Sequence, residues 1–384
     1  MPDLNELLRW SIENSAPRDG AAPAAAAPAP EQPLSLSFRP TSDPAAASSA
    51  LHPSDPHFPL ANNGPTALAP SEDAAAGTPA AAAARRNDLT TEMLDLIMGK
   101  SDSVVMKEKM ALAVDESQDV ADRVDALDDF EMLIELIDNA NNMAVLKLWE
   151  PLLGLLDSKH SEIVTHAAWI IGTAVQNNIK AQAALYVHGA LPKILSLIYP
   201  SDSASGPSHP TSTRGKATYA FSASVKHWPL ASSALSANSS QGYSVLRRGV
   251  SDPQPVIRRK MAFLVGTLVM QSNETYTGEL PDEVRQLIEE RTQTQHETQT
   301  QTLIAGLEKE GVFNALVEAL RTSDSDIEFE ENAIRTLSQA AKQGVLSDEE
   351  KKALKGIWTT WGAEGQSERG LGGEDGKVVE QSLA

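Results

Sequence analysis

WEPLLGLLDSKHSEIVTHAAWIIGTAVQNN, residues 149–178, decides the fold. Its apolar positions recur every three or four residues in two blocks, split by the polar stretch DSKH. That spacing predicts a short helix, a loop and a longer helix, not the alternation of a strand. Pro151 stands near the first helix start, where its missing N–H is tolerated. The long block carries a small residue, Ala168, followed by the bulky Trp169. Further along, AFLVGTLV at 262–269 is close to a copy of AWIIGTAV at 168–175, down to the Gly-Thr pair.

Working outward, the same pattern of a small residue followed by a bulky apolar one appears in five segments. They are RVDALDDFEMLIELIDN, THAAWIIGTAVQNN, GKATYAFSASVKHWP, RRKMAFLVGTLVMQSN and EENAIRTLSQAAKQG, with Ala126, Ala168, Thr218, Ala262 and Ala333 in register. The separations are 42, 50, 44 and 71 residues. A period of about 40–47 residues belongs to armadillo and HEAT repeats. The long intervals contain insertions, PSDSASGPSHPTST at 200–213 and the polar QTQHETQTQT at 293–302; the latter reads equally as helix or as disorder. Gly189, Gly242 and Gly311 each precede a short amphipathic segment and are expected as helix-terminating glycines of positive φ. Small residues let helices approach, and stacked units bury a core no single unit could form. The expectation is an all-α, right-handed superhelical solenoid of armadillo or HEAT type over 89–362.

The flanks differ. Residues 16–88 hold 23 Ala and 13 Pro among 73 positions, too few branched side chains for a core and too much proline for stable helix, so they read as a disordered linker. The Gly-rich stretch 363–384 reads as a flexible tail. Residues 1–15 are amphipathic, with Leu4, Leu8 and Ile12 four apart, Asp3 at a cap position and Glu6 three residues on. A helix of about a dozen residues is marginal in water, so it folds on a partner or docks on its own domain.

The charge is −20, from 32 Lys+Arg and 52 Asp+Glu, which opposes binding to a phosphate backbone. Cysteine is absent, excluding disulfides, thiol nucleophiles and Cys-ligated metals. No apolar run reaches the roughly 18–20 residues of a membrane helix, and the acidic start resembles no secretory leader. We therefore expect a cytoplasmic, monomeric protein. No phosphate-binding glycine loop, GxSxG elbow or HExxH motif occurs, the eight histidines are scattered, and acidic pairs such as Asp128/Asp129 and Glu330/Glu331 read as solvated helix faces. No catalytic residues, metal or cofactor are expected. In helical solenoids the last helix of each unit lines the binding face. Polar residues at the ends of those helices are candidates: Asp138, Asn139, Asn141, Asn142, Gln176, Asn177 and Asn178. Arg258–Arg259–Lys260 forms a basic run with two readings, an internal ion-pair surface or a docking spot for an acidic partner.

LNELLRWSIENS at 4–15, DALDDFEMLIELIDNANN at 125–142, LKLWEPLLGLL at 146–156 and AAWIIGTAVQNN at 167–178 occur in that order. Together they closely resemble the fungal nucleotide-exchange factors of the Fes/HspBP class, which act on DnaK-type heat-shock chaperones. The resemblance implies a non-catalytic co-chaperone that holds one lobe of the chaperone's ATPase domain, displaces the other and lets ADP leave. By the same resemblance, contacts fall on Asn139, Ala140, Asn141 and Asn142 of the DNANN turn and on Arg259, to which the polar helix ends add Asn177. Ala140 stands equally to pack a helix end, and Arg259 to bridge neighbouring units. It further implies that Leu4, Leu7, Leu8, Trp10 and Ile12 engage the chaperone's peptide-binding cleft to release clients. The rival readings are a scaffold or an armadillo transport adaptor for basic peptides. Such adaptors use Trp and Asn repeatedly along the groove; here Trp169 stands alone in its long helix and is followed four residues on by Thr173.

Overall fold

The computed structural model describes residues 99–200, 209–272, 279–282, 284–286, 289–290, 302–323 and 325–383. The amino-terminal motif 1–15, the Ala/Pro-rich stretch 16–88, residues 201–208 of the first insertion and 293–301 of the second lie outside the described residues. The described residues from Lys100 onward form one compact unit.

Five long helices carry the repeated small residue: α2 (Val120–Ile134), α5 (Ser161–Val175), α8 (Thr211–Val225), α10 (Pro255–Gln271) and α13 (Ile327–Lys342). They pack in sequence order, each against the next. Ala126, Ala168, Thr218, Ala262 and Ala333 are all buried, which is why the position stays small. Where the repeat has glycine the neighbours come closer still. The ring of Tyr219 lies across Gly172, where an added Cβ would sit 2.4 Å from its Cδ1. The hydroxyl of Thr336 approaches Gly266 in the same way, 2.6 Å from that position.

A second layer is built by α4 (Trp149–Gly154), α7 (Leu191–Ile198), α9 (Ala231–Gly249), α12 (Val312–Arg321) and α14 (Asp348–Glu368). Short helices α1 (Asp102–Val114), α3 (Ile137–Val145), α6 (Ile179–Val187) and α11 (Leu303–Lys309) complete the units, and α15 (Gly373–Ser382) ends the stack against α13. This is an all-α, armadillo-like solenoid with a continuous core that runs from Met106 to Leu383.

The turns follow from residue chemistry. α5 ends at Gln176, Asn177 takes the left-handed conformation (φ 52°), and Asn178 caps α6, its Oδ1 accepting from the Ala181 N–H at 3.3 Å. Asparagine tolerates positive φ better than other residues with a Cβ, and is a strong N-cap. Gly189 and Gly311 have positive φ, as expected of helix-terminating glycines. Gly242 does not. It lies inside α9, where a Cβ would meet Leu235 Cδ2 at 2.6 Å; the break is made instead by Asn238, Ser239 and Ser240, all with positive φ. Thr211–Thr213, expected within the first insertion loop, already form the start of α8.

The carboxyl terminus corrects the expectation of a flexible tail. α14 continues to Glu368 across a kink at Gly362, and α15 packs on α13 with Leu371, Val379 and Leu383 buried. Glu330, expected on a solvated face, is buried and accepts from Arg369 Nε at 2.7 Å. Glycine-rich composition here marks joints: Gly362, Gly370 and Gly373 all have positive φ. A second buried pair, Arg214–Asp252, joins α8 to the turn before α10. Tyr199 also donates to Asp252, and Arg214 Nε donates to the Ile198 carbonyl at 3.1 Å.

Candidate partner-binding face

The exposed sides of α2, α5, α8, α10 and α13 make up one face of the stack, the inner face in solenoids of this class. Numbering each long helix from its small residue shows how the face is built. The position immediately after it holds Leu127, Trp169, Tyr219, Phe263 and Ile334; the position two before it holds Val124, His166, Lys216, Lys260 and Glu331. At the two ends the bulky residue is buried, as for Leu127 and Ile334. In the three middle units it is open: Trp169 and Tyr219 are half-buried, and Phe263 is 53% exposed.

In the first two of those middle units the aromatic receives the lysine of the next helix. Lys216 Nζ stands 3.2 Å from the centroid of the Trp169 ring, and Lys260 Nζ stands 5.9 Å from that of Tyr219. Such contacts combine cation–π attraction with cover for the lysine stem. Lys226, the residue that caps the end of α8, lies 5.7 Å from the Phe263 centroid. The next step of the ladder breaks, because Glu331 replaces lysine and pairs with Arg335 at 3.0 Å. Burial lowers the pKa of Lys216, helped by the charge of Lys260 and opposed by Glu131; Lys260 is lowered by desolvation alone. Burial pushes the Tyr219 phenol up, so its hydroxyl stays protonated and donates to Gln176 Oε1.

α10 adds an apolar stripe to this face. Val256, Phe263 and Met270 are seven residues apart and each more than half exposed. Between α10, α13 and α15 lies a groove of about 540 Å³, lined by Phe263, Gly266, Met270, Arg335, Gln339 and Val378 among others. Large exposed apolar residues gathered on one face mark an interaction surface more often than chance exposure does.

The sequence candidates fall in different places. Asn139 is buried, its Nδ2 donating to Asp102 Oδ2 at 2.8 Å and to the Leu133 carbonyl at 3.0 Å. Ala140 is 3% exposed and packs the end of α3 in the core. Asn141 and Asn142 are half-buried on the same helix, and Asn177 is exposed at the α5–α6 turn. The run at 258–260 splits by residue type. Arg258 and Arg259 both reach Asp326, the N-cap of α13, at 2.7 and 2.6 Å, and Arg259 also reaches Glu328 at 2.9 Å. Its side chain remains 39% exposed. Lys260 instead turns to the Tyr219 side of the face. Burial raises the Asp326 carboxyl, but hydrogen bonds from Arg258, Arg259 and the Phe329 N–H outweigh this and leave its pKa below the ordinary value. Lys216, Tyr219, Phe263 and Met270 were not candidates from sequence. The signal that could find them is the register itself, extended from the small residue to its neighbours.

Among the described residues no group of three or more His, Asp or Glu is arranged to hold a metal ion, and no helix is long and apolar enough to cross a membrane.

Comparison with known proteins agrees with this architecture. Residues 4–143 match the family described as nucleotide exchange factor Fes1, and residues 139–378 match the SIL1/FES1/HPBP1 C-terminal domain. The chain is 54% identical over 373 residues to the Hsp70 nucleotide exchange factor FES1 of Cryptococcus neoformans, covering 93% of each protein. It is 42% identical over 215 residues to that of Mycosarcoma maydis, covering 55% of this chain and 53% of the relative. A designed armadillo repeat protein in complex with the peptide (KR)4 superposes with a TM-score of 0.51 at 15% identity, over 74% of this chain and all of that one. At that identity the likeness speaks for the fold alone.

Proposed function

The chain belongs to the Fes1 family of nucleotide exchange factors, and from that membership we propose that it docks on the ATPase domain of an Hsp70-type chaperone and promotes release of ADP. The observation that carries the docking surface is the middle of the face, where Trp169 and Tyr219 lie open beside lysines of the following helix and Phe263 lies open beside Lys226. A protein lobe supplies the extended complement that such a strip, several helices wide, calls for.

Exchange then follows from linkage. The factor binds the nucleotide-free, opened ATPase domain more tightly than the ADP-closed form. Nucleotide must weaken its binding by the same factor that it weakens nucleotide binding. No chemistry on this chain is required. A stiff stack held by buried pairs such as Arg214–Asp252 can hold a lobe in one geometry while the other rotates away.

Among the candidate contacts, Asn141, Asn142, Asn177 and Arg259 are the ones open to a partner, Arg259 by exchanging one of its two internal carboxylates for one on the chaperone. Asn139 and Ala140 act from beneath, by setting the position of α3. Leu4, Leu7, Leu8, Trp10 and Ile12 are the segment suited to a peptide-binding cleft. A transport-adaptor reading is weaker: a basic peptide would meet Lys216 and Lys260 on the open face.

The test is release of a fluorescent ADP analogue from a purified fungal Hsp70 with increasing amounts of the full chain. Acceleration that saturates is expected. An unchanged rate, with the chain folded, rejects the exchange reading. Deleting residues 1–15 should leave that acceleration intact and slow client release; equal client release removes the role of the segment.

A further inference from the structure

Five arginines at the joints between helices have carboxylate partners. Arg214, Arg258, Arg259, Arg335 and Arg369 are each paired. Lys216 and Lys260 form no ion pair among the described residues, although the chain has a formal charge of −20. Instead they occupy the same position of successive repeats, each over the aromatic of the preceding helix. The carboxylate nearest in effect, Glu131, is engaged by Thr173 Oγ1 at 2.8 Å.

We propose that Lys216 and Lys260 form a two-step clamp for a pair of carboxylates on the partner, spaced by about one helix-to-helix distance, ~8–10 Å. This rests on the docking reading above and names the chemistry that the docked surface must carry. Two ammonium groups on adjacent helices repel each other, and partial burial adds to the cost of holding both charged. That cost is consistent with their lowered pKa values. A carboxylate opposite each removes both penalties at once. The aromatic platforms restrict the lysine stems beforehand, so less rotamer freedom is lost on binding. A polyanion is a poorer fit. The clamp is two charges wide, ends at Glu331 and is bordered by the apolar stripe of α10, while the rest of the chain repels extended phosphate backbones.

The experiment measures binding of the full chain to the isolated ATPase domain of a fungal Hsp70 at low and high salt. Wild type is compared with Lys216→Met, Lys260→Met, the double variant and the two Lys→Arg replacements. Each Met variant should weaken binding about tenfold and flatten its salt dependence, since loss of a docking charge acts on both. The Arg variants should retain most of the affinity. Lys→Gln variants serve at either position if a Met variant loses helicity.

The clamp is overturned if the double variant binds with wild-type affinity and wild-type salt dependence. It is also overturned if Arg and Met replacements are equally damaging at every salt concentration, which would make shape and not charge the determinant. Binding of inorganic phosphate or free ADP to the wild-type chain, lost in the double variant, would replace the protein carboxylates by a phosphate ligand. Failure of the wild-type chain to bind the ATPase domain at all would reject the docking reading, and the assigned partner with it.

Discussion

Gly172→Ala tests how the stack is held together and how the face is shaped. In an exposed helix interior the change should stabilise, because Gly is about 0.8–1.0 kcal/mol less favourable than Ala. Here the new Cβ would sit 2.4 and 2.5 Å from two ring carbons of Tyr219, and 3.2 Å from the Ala220 Cα. The severe clash is with the half-buried ring, which must be displaced, whereas the approach to the α8 backbone asks for a shift of only a few tenths of an ångström. Overpacking of this kind costs about 1–3 kcal/mol. Subtracting the propensity gain leaves a net loss of about 1 kcal/mol, or a fall of roughly 2–4 °C in Tm for a chain of this size. The assay is thermal and denaturant unfolding of four proteins: wild type, Gly172→Ala, Tyr219→Ala and the double variant. In the Tyr219→Ala background the glycine substitution should be near neutral, giving a coupling of about 1 kcal/mol or more. Gly266→Ala is the internal control. It meets the Thr336 hydroxyl at 2.6 Å and the Thr336 Cβ only at 3.8 Å, so rotation of one side chain relieves it and little stability is lost. A rise in Tm for Gly172→Ala in the wild-type background would refute the reasoning, because it would mean that Tyr219 does not lie across the glycine.

Arg369→Met should cost about 3–5 kcal/mol, because Glu330 would remain buried without its cation; adding Glu330→Gln should recover much of it. Denaturant unfolding decides: a loss under about 1 kcal/mol, the scale of an exposed pair, would mean that the carboxyl-terminal helices do not pack as described. Asp326→Asn should reduce sensitivity to acid. Because the folded-state pKa lies below the ordinary 3.8, Asp326 contributes stability that is present above that value and is lost as pH falls through the lower one. The variant should therefore be less stable than wild type near neutrality, yet lose less when titrated below about pH 4; parallel acid-unfolding curves would contradict this.

Much of the stack was legible because the repeat constrains one position above all. Ala126, Ala168, Thr218, Ala262 and Ala333 are small for a reason that acts locally, the approach of the next helix, and it recurs in every unit. The errors arise where one residue type serves two ends. Gly242 is required by the proximity of Leu235 and not by a positive φ, and nothing in the sequence around it separates those causes. Gly362, Gly370 and Gly373 look like a mobile stretch until Arg369 is seen to pair with Glu330, 39 residues earlier. The basic run at 258–260 was visible, but its division was not. It depends on Asp326, which pairs with both arginines across 68 and 67 residues, and on Tyr219, which draws Lys260 the other way. The pairing of Trp169 with Lys216 was hidden because the first insertion stretches that repeat to 50 residues.

The same register explains why the open aromatic surface belongs to the middle units. At the ends, Leu127 and Ile334 are drawn into the core beneath α1 and α15, so the bulky residue there contributes to stability and offers nothing to a partner. In the middle, each long helix has a long helix on both sides. The core is already closed by residues such as Ile170, Phe221 and Leu264, which leaves Trp169, Tyr219 and Phe263 with one face open. An open aromatic face is unfavourable in water, and a lysine stem laid over it covers part of the apolar area while keeping the charge at the surface. This arrangement keeps the open rings partly covered and leaves the ammonium groups without carboxylates. Filling the two lysine positions with alanine would remove charge repulsion but expose the rings. Replacing the rings by alanine would release the lysines into solvent. Either change loses half of a surface in which apolar contact and charge are presented together, and the two half-surfaces are therefore expected to depend on each other when a partner binds.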